Sequence, residues 1–291
     1  MKFNEEQLKE MKNLYLVEQL STTEIGNRFN VSRGVIGYNL KKLGVKMRPR
    51  GRKISLEDIE DKLETPEFHY FLGVLATDGC VCNNIISLEF AEDNKDILYY
   101  WREFLNNKVN INIHTNSKGI DYYKISFQNY DIAKLLEKYG ITPKKSYTLI
   151  LSCMNWDILR GIFDGDGSLS IDYRNGISGK FRIASGSREF LLQIQKFLSS
   201  YNIKSSIYED SSCKCMSLTV GVLSDIIAIY TNMYKNSSYF LKRKYDKFGP
   251  LVEKFTESNS VNSVNRMENL KTEPNSNKIE EVQRLETENL S

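Results

Sequence analysis

The chain has few of the residues that build metal-binding or disulfide-bonded modules. It contains two histidines and five cysteines in 291 residues. His69 and His114 are isolated, and Cys80-x-Cys82 and Cys213-x-Cys215 lack the Cys-x-x-Cys spacing of common zinc sites. We therefore expect each cysteine pair to alternate along a strand instead of binding zinc. The odd number of cysteines favours a reducing compartment.

Long apolar runs are also missing. No run approaches the roughly 20 residues that an α-helix needs to cross a bilayer. The charged N-terminal residues 1–6 lack the apolar core of a signal peptide. These absences argue against membrane-embedded and secreted classes, and the expected location is the cytoplasm.

The small overall charge hides an uneven distribution. The net charge of the chain is +3, but residues 1–53 hold 12 Lys and Arg against 5 Asp and Glu. A basic segment of this kind is typical of proteins that bind a polyanion. Residues 251–291 hold 5 basic against 8 acidic residues and are rich in Asn, Ser and Glu. We expect this tail to be disordered, at least from about Thr256.

Residues 1–46 show the spacing of three short helices. Apolar residues recur at helical intervals over residues 4–19, Ser21 and Glu24 can form a capping box for a second helix, and Ser32 can cap a third that ends at Gly44. This order is typical of a helix-turn-helix domain, with an ordinary three-helix bundle as the alternative. In the first interpretation, the residues of the third helix that would face DNA are Ser32, Arg33, Gly34, Gly37, Tyr38, Lys41 and Lys42.

A basic linker is predicted over residues 47–64. Its sequence Pro49-Arg50-Gly51-Arg52 resembles an AT-hook, which lies in a narrow minor groove, although an unspecific basic linker would look the same. Candidate DNA contacts here are Arg48, Arg50 and Arg52. A short lead-in helix is expected from Ser55 to Leu63.

One nine-residue pattern occurs twice, as Phe71–Gly79 and Leu159–Gly167. In each copy a glycine lies inside an apolar helix that ends in Asp-Gly, and both features repeat at an offset of 88 residues. A constant offset indicates a duplicated structural unit. Because glycine inside a helix costs up to about 1 kcal/mol relative to alanine, it usually marks a close backbone approach. We therefore expect Gly73 and Gly161 to let the two helices pack together.

The acidic residue of each repeat lies at the C-terminal end of a helix, where a negative charge is unfavourable. Asp78 and Asp166 each close a helix, and the C-terminal end of a helix carries partial negative charge. Two such carboxylates, brought together by helix packing, repel each other unless a cation lies between them. Oxygen ligands of this type suit a hard divalent cation.

The rest of each repeat alternates between strand and helix periods. Apolar residues alternate with polar ones at Ile86–Phe90 and Tyr123–Phe127, with helical patterns between and after them. The second half repeats this order, and each unit reads α-β-β-α-β-β-α. The expected fold class is α+β, with repeats over residues 65–153 and 154–250. The polar face of the second sheet would hold Ser170, Asp172, Arg174, Lys180, Arg182, Lys204, Ser206, Ser217 and Thr219.

Both nine-residue segments resemble the LAGLIDADG motif, and residues 66–248 resemble a single-chain LAGLIDADG homing endonuclease. The second copy, Ile162-Phe163-Asp164-Gly165-Asp166-Gly167, matches closely. The first departs from the motif at Ala76 and Thr77 but keeps Asp78.

The resemblance implies a function and a set of site residues. It implies a monomeric enzyme with internal pseudo-two-fold symmetry that cuts both strands of double-stranded DNA at a specific site, as in intron homing. Asp78 and Asp166, with Gly79 and Gly167, would bind Mg²⁺ or Mn²⁺, and Lys145 and Lys244 would lie beside the metal site. Two alternatives remain open: a DNA-binding regulator that has lost cleavage, and an intron RNA maturase with the same fold.

Overall fold

The computed structural model describes residues 3–18, 20–47, 54–210 and 215–258. The chain divides into two compact units, residues 1–53 and 54–291, and each described part has its own hydrophobic core. Within the described residues, no helix is both long enough and apolar enough to cross a membrane.

The first unit contains three helices, α1 (Glu5–Leu16), α2 (Thr22–Arg28) and α3 (Arg33–Lys42). The expected capping box forms at the start of α2, where the Glu24 amide donates to Ser21 Oγ and the Ser21 amide donates to the Glu24 carboxylate. Asn30 has a φ of 50° and makes the turn before α3. Buried apolar residues from all three helices and the segment after α3 form the core: Met11, Leu14, Tyr15, Ile25, Ile36, Leu40 and Val45.

The expected lead-in helix is much shorter than its sequence pattern predicts. The structure forms only α4 (Glu57–Glu60), because residues 61–64 form turns instead of continuing the helix. Before α4, the Ser55 amide and hydroxyl bond the Asp58 carboxylate. Ile54 and Ile59 are buried in the core of the second unit. This segment therefore packs as part of the second unit and is not a free linker.

The second unit contains two repeats with the same order of elements, which confirms the α+β fold class. The first repeat comprises α5 (Pro66–Thr77), β1 (Cys80–Cys82), β2 (Ile85–Ala91), α6 (Asp96–Phe104), β3 (Asn112–Thr115), β4 (Asp121–Gln128) and α7 (Tyr130–Lys138). The second comprises α8 (Trp156–Asp166), β5 (Gly167–Asp172), β6 (Ser178–Ser185), α9 (Arg188–Ser199), β7 (Ser206–Asp210), β8 (Cys215–Val220) and α10 (Leu223–Tyr234). Each repeat forms a four-stranded antiparallel sheet, in the orders β1-β2-β4-β3 and β5-β6-β8-β7.

Local sequence signals explain where the two motif helices begin. Thr65 caps α5 by accepting a hydrogen bond from the Phe68 amide, and Pro66 occupies the first helical position, where its missing N–H costs nothing. Asn155 caps α8 in the same way, through the Ile158 amide. Both helices are buried over most of their length and form the centre of the core.

The chain after α10 stays in the fold longer than its composition predicts. Helix α11 (Lys242–Tyr245) is followed by a 3-10 turn, and residues 249–258 are helical. Leu251 is fully buried, so the boundary predicted at residue 251 is wrong. Val252 packs beside Leu251 on the core, and the Lys254 ammonium bonds the Ile177 carbonyl, so a few contacts dock this stretch despite its polar composition. The remaining tail, residues 259–291, lies outside the described part.

Candidate functional site

The two motif helices contact each other through their glycine backbones. A Cβ on Gly73 would lie 2.7 Å from the Ile162 nitrogen and 2.9 Å from the Gly161 Cα, and closer still to the Ile158 carbonyl. A Cβ on Gly161 would lie 2.9 Å from the Val74 nitrogen and would overlap the Tyr70 carbonyl. Real Cβ atoms essentially never come within 3.0 Å of such neighbours. The expected packing of α5 on α8 through Gly73 and Gly161 is confirmed.

This packing brings the two helix ends, and their acids, together. Asp78 is the C-cap residue of α5, and Asp166 is the last residue of α8. The two ends are so close that a Cβ on Gly165 would lie 2.5 Å from the Asp78 carboxylate. Both acidic side chains reach solvent, so a ligand can approach them.

The pKa values of both acids are raised. The crowded helix ends partly desolvate both carboxylates. For Asp166, this desolvation and the nearby negative charge of Asp78 together raise the pKa to about 6. Desolvation also raises the pKa of Asp78, although the Thr77 hydroxyl, 3.1 Å from its carboxylate, opposes the shift. Each acid is therefore less stable in its charged form than a free carboxylate, and a bound cation would relieve that cost.

Each motif helix end also receives a buried lysine. Lys145 follows α7, in a 3-10 turn (Lys145–Tyr147), and its ammonium donates to the Gly79 carbonyl. Lys244 in α11 donates to carbonyls at the end of α8, including those of Gly165 at 3.0 Å and Gly167 at 2.8 Å. Burial lowers the pKa of both lysines, that of Lys244 to about 8.

The neighbouring basic residues do not share this placement. Lys144 is exposed, the Lys242 side chain pairs with Asp246 at 2.7 Å, and Arg243 bonds the Asn94 side chain. The structure therefore separates Lys145 and Lys244 from the other basic residues of their segments, which sequence spacing could not do.

A buried polar group beside the site was missed by the sequence analysis. Asp164 is fully buried and accepts hydrogen bonds from the Tyr70 hydroxyl at 2.9 Å and the Leu241 amide at 2.8 Å. Burial raises its pKa to about 6. Leu241 is the N-cap residue of α11, so Asp164 fixes the helix that carries Lys244. The sequence does contain a signal for this group: Asp164 is a charged residue between apolar ones in a helix expected to be buried, and such a residue needs a hydrogen-bond partner.

The donor set at the helix ends fits a hard divalent cation. It offers two carboxylates with raised pKa values and backbone carbonyls, all oxygen ligands of the kind that Mg²⁺ and Ca²⁺ take. The Gly79 and Gly167 carbonyls, expected as ligands, each accept a hydrogen bond from a lysine. In the described part of the chain, no group of three or more His, Cys, Asp or Glu is placed to bind a metal by itself. A cation here would need ligands from its substrate or from water.

The polar face of the second sheet is arranged as expected over its central strands. Ser170 pairs with Lys180, and Arg182 lies between Ser168 on one side and Thr219 on the other, so these side chains share one face. Ser206 and Ser217 lie on the same face. Thr219 and Ser217 are buried, however, because their short side chains lie beside larger ones on neighbouring strands, Arg182 and Tyr208.

Two of the expected strand residues lie outside strands. Lys204 precedes β7, which begins at Ser206, and its side chain is exposed. Arg174 follows β5 and pairs with Asp172 at 2.7 Å. The strand ends shift because Asn202 has a φ of 58° and turns the chain before β7, and because the Asp172 carboxylate accepts from the Arg174 amide.

The first sheet has a matching polar face on β2 and β4. Register places Ser87 opposite Ser126, and Glu89 opposite Lys124, with which it forms an ion pair of 2.7 Å. His114 lies 3.5 Å from Glu89. The alternation in β2 and β4 was visible in the sequence, so these positions could have been found.

The residues predicted to contact DNA in the first unit lie on its surface. Ser32, Arg33, Tyr38, Lys41 and Lys42 are exposed, and all but Ser32 belong to α3. Ser32 is the N-cap residue but makes no side-chain capping bond. The candidate contacts Arg48, Arg50 and Arg52 lie outside the described residues.

Comparisons with known proteins agree with this architecture. Residues 157–235 match the family model of the LAGLIDADG-like domain. A search of curated proteins finds no match.

Solved structures similar to the chain include endonucleases bound to DNA. I-SmaMI bound to an uncleaved DNA target in the presence of calcium ions is 14% identical, covering 76% of this chain and 97% of that chain, with a TM-score of 0.46. I-LtrWI bound to target DNA is 12% identical, covering 76% and 96%, with a TM-score of 0.45. The N-terminal LAGLIDADG domain of DUF199/WhiA is 16% identical, covering 68% and 95%, with a TM-score of 0.42. These values are too low to assign an activity.

The family-model match begins in α8 and ends just after α10, so it covers the second repeat. The first repeat has the same order of elements and the same sheet topology around its own motif helix. Residues 157–235 thus match a LAGLIDADG-like domain, and they lie within a unit built of two repeats of the same topology.

Proposed function

We propose that the chain is a site-specific endonuclease that uses a divalent metal ion to hydrolyse both strands of double-stranded DNA. The observation that carries this proposal is the pair of acids at the ends of the two glycine-packed helices. Asp78 and Asp166 lie together, reach solvent and carry raised pKa values. No need of the fold accounts for two repelling carboxylates at helix C-termini, whereas a cation-binding role does.

The residues of the site have separate tasks in this proposal. Asp78 and Asp166 would hold the metal, one acid from each repeat, and so serve one DNA strand each. Mg²⁺ or Mn²⁺ bound there would activate water and neutralise charge on the leaving oxygen. Gly73 and Gly161 set the separation of the acids, and the two buried lysines add positive charge beside them.

Both sheets support DNA as the partner. Each repeat presents a polar strand face, and the second includes Lys180 and Arg182 on neighbouring positions of β6. Side chains on such a face can reach base edges and phosphates. Because one chain supplies both motifs, we propose that it acts as a monomer. The exposed basic residues of α3 would add contacts as a helix-turn-helix.

The alternatives are a regulator that binds DNA without cutting it and an intron RNA maturase. A pure binding role gives no reason to keep both Asp78 and Asp166 at a repelling site. The helix order of the first unit favours DNA over RNA.

Asparagine substitution at each acid tests the proposal. Asp78→Asn and Asp166→Asn each keep the shape of the side chain but remove its charge. We expect specific DNA binding to persist in gel shifts, while cleavage of both strands in Mg²⁺ is abolished. Binding without cleavage by the unaltered protein, over a library of double-stranded sites, would favour the regulator instead. Double-strand breaks by both single variants would refute the assignment of the acids.

A further inference from the structure

The two sheets present different side chains at matching positions of their polar faces. In each sheet, two residues of the second strand lie opposite the first polar-face residues that follow the motif acid. They are Ser87 and Ile85 in β2, and Arg182 and Lys180 in β6. The first repeat therefore has an uncharged pair, one of them apolar, where the second repeat has two cations.

The two cations of β6 are exposed and unpaired. The side chains of Arg182 and Lys180 have neither an ion-pair nor a hydrogen-bond partner among the residues that the structure describes. Two other basic side chains on or beside these faces are held by carboxylates. Lys124 in β4 lies 2.7 Å from a glutamate of β2, and Arg174 lies 2.7 Å from the aspartate that ends β5. Arg182 and Lys180 can therefore bind a ligand without first breaking a contact.

The spacing of these two cations fits the spacing of base pairs. Residues two apart in a strand project from the same face, about 6.6 Å from each other. Base pairs of B-DNA follow one another at about 3.4 Å along the helix axis, so two base-pair steps span a similar length. Arginine and lysine both bond O6 and N7 of guanine, the commonest specific contact in the major groove. Arg182 and Lys180 therefore fit two guanines that lie two base pairs apart.

The equivalent residues of the first sheet cannot make that contact. Ile85 is 41% exposed, although it is an apolar side chain on a polar face. Its neighbour on the next strand is Gln128, which is exposed and makes one long contact, 3.5 Å, with the Asn83 carbonyl. Glutamine bonds N6 and N7 of adenine, and apolar side chains contact the methyl group of thymine. This pair therefore fits an A·T base pair at the place that Lys180 takes in the other repeat.

We propose that Arg182 and Lys180 read two guanines in the half of the DNA target that lies along the second sheet. In the other half, Ile85 and Gln128 read an A·T base pair. The inference rests on the proposed function, because it needs DNA along both sheets. It makes the target non-palindromic near its centre, although two similar repeats bind it. Arg182 is nearer the motif acids than Lys180, so its guanine lies closer to the bonds that are cut.

Selection of bound duplexes from a randomised library tests these preferences without requiring cleavage. The full chain is mixed with the library in Ca²⁺, which takes oxygen ligands as Mg²⁺ does. Bound duplexes are recovered by gel shift and sequenced, and the selected duplexes are then tested for cleavage in Mg²⁺. The variants are Arg182→Gln, Lys180→Gln and Gln128→Arg. Arg174→Gln is the matched control, because it removes a basic charge beside the same sheet from a side chain already bound to Asp172.

We expect the unaltered protein to select two guanines two base pairs apart on one side of the centre, and an A·T pair on the other side. Arg182→Gln should bind that target about 10–100-fold more weakly and prefer adenine in place of the inner guanine, with other positions unchanged. Lys180→Gln should do the same at the outer guanine. Gln128→Arg should change adenine to guanine in the opposite half, whereas Arg174→Gln should keep every preference. All four side chains are exposed, so melting temperatures should not change.

Two results would overturn the inference while leaving the endonuclease proposal intact. The first is equal weakening of all sequences by Arg182→Gln, with a salt slope lower by about 1, which would show that Arg182 binds a phosphate. The second is efficient cutting of targets without guanines or the A·T pair at these positions. Conversely, a target that shows the expected asymmetry but is not cut in Mg²⁺ would refute the endonuclease function alone. Failure to select any duplex sequence would refute both.

Discussion

Alanine at either motif glycine should damage cleavage more than stability. In Gly161→Ala the new methyl group would overlap the Tyr70 carbonyl and lie 2.9 Å from the Val74 nitrogen. Both neighbours are backbone atoms of α5, so neither can rotate away. The two helices must separate, and Gly73→Ala forces the same movement from the other side.

The two effects differ in size because they have different causes. Overpacking costs about 1–3 kcal/mol, and alanine recovers up to about 1 kcal/mol of helix propensity. With the full recovery, the net loss of stability is at most about 2 kcal/mol, and each kcal/mol lowers the melting temperature of a unit of this size by about 2–4 °C. Separation of the helices by about 1 Å also moves Asp78 away from Asp166, and a misplacement of this size can cost about a hundredfold in rate.

Thermal melts and single-turnover cleavage on the same samples measure both effects. Gly249→Ala is the matched control, because a Cβ there meets nothing within 4 Å and the residue lies in a helical stretch. We expect this control to be neutral or slightly stabilising, with a wild-type rate. A wild-type cleavage rate in Gly161→Ala would show that the separation of Asp78 and Asp166 does not depend on the helix contact. The two acids would then not act as one site.

Three further predictions concern pH, the first unit and its glycines. Because the pKa of Asp166 is raised to about 6, cleavage should fall as pH drops through about 6, where the carboxylate binds a proton and releases the metal. The same shift means that this group lowers the free energy of unfolding of the metal-free protein as pH rises from about 4 to about 6. Asp166→Asn should therefore reduce that pH dependence in metal-free melts, to which Asp164 also contributes through its own raised pKa, and an unchanged dependence would contradict the assignment. Removal of residues 1–53 should leave cleavage intact but weaken binding and flatten its salt dependence, by about 0.9 in log–log slope for each phosphate that this unit neutralises; an unchanged slope would mean that the unit does not bind DNA. Gly37→Ala should stabilise the first unit by about 0.4–1 kcal/mol, since a Cβ there meets nothing within 4 Å, yet weaken DNA binding if α3 docks closely. Gly26→Ala is the contrast: its Cβ would lie 2.6 Å from the Val31 carbonyl, so melting should show destabilisation.

Rules that relate neighbouring residues to local structure predict many caps and turns of this molecule correctly. The capping box at Ser21 and Glu24 forms as its sequence signal predicts, and Thr65 and Asn30 take the cap and turn positions that their residue types favour. Ser32 occupies its predicted N-cap position without a capping bond. Such features depend on residues within about one turn of each other, so spacing alone reveals them. The constant offset between the motif copies predicted the contact of Gly73 with Gly161, which is a long-range feature.

Predictions from composition and apolar spacing were wrong where contacts of individual side chains decided the structure. The polar tail predicted disorder from residue 251, but buried Leu251 docks a helical stretch. Similarly, apolar spacing predicted a helix from Ser55 to Leu63, whereas the Asp58 carboxylate accepts from Ser55 and only four residues, Glu57–Glu60, form the helix. Individual contacts of this kind do not appear in averages over a window of sequence.

The sequence by itself determined the two repeats, the glycine contact and the two acids, because these follow from a repeated spacing and from helix geometry. Only the tertiary structure decided which lysines bond the carbonyls at the ends of the motif helices, that Lys244 is bound by four of them, and that Asp164 holds the segment before it. The contacts of Lys244 and Asp164 join residues about 80 positions apart. The path of the intervening chain sets them, and no periodicity in the sequence encodes that path.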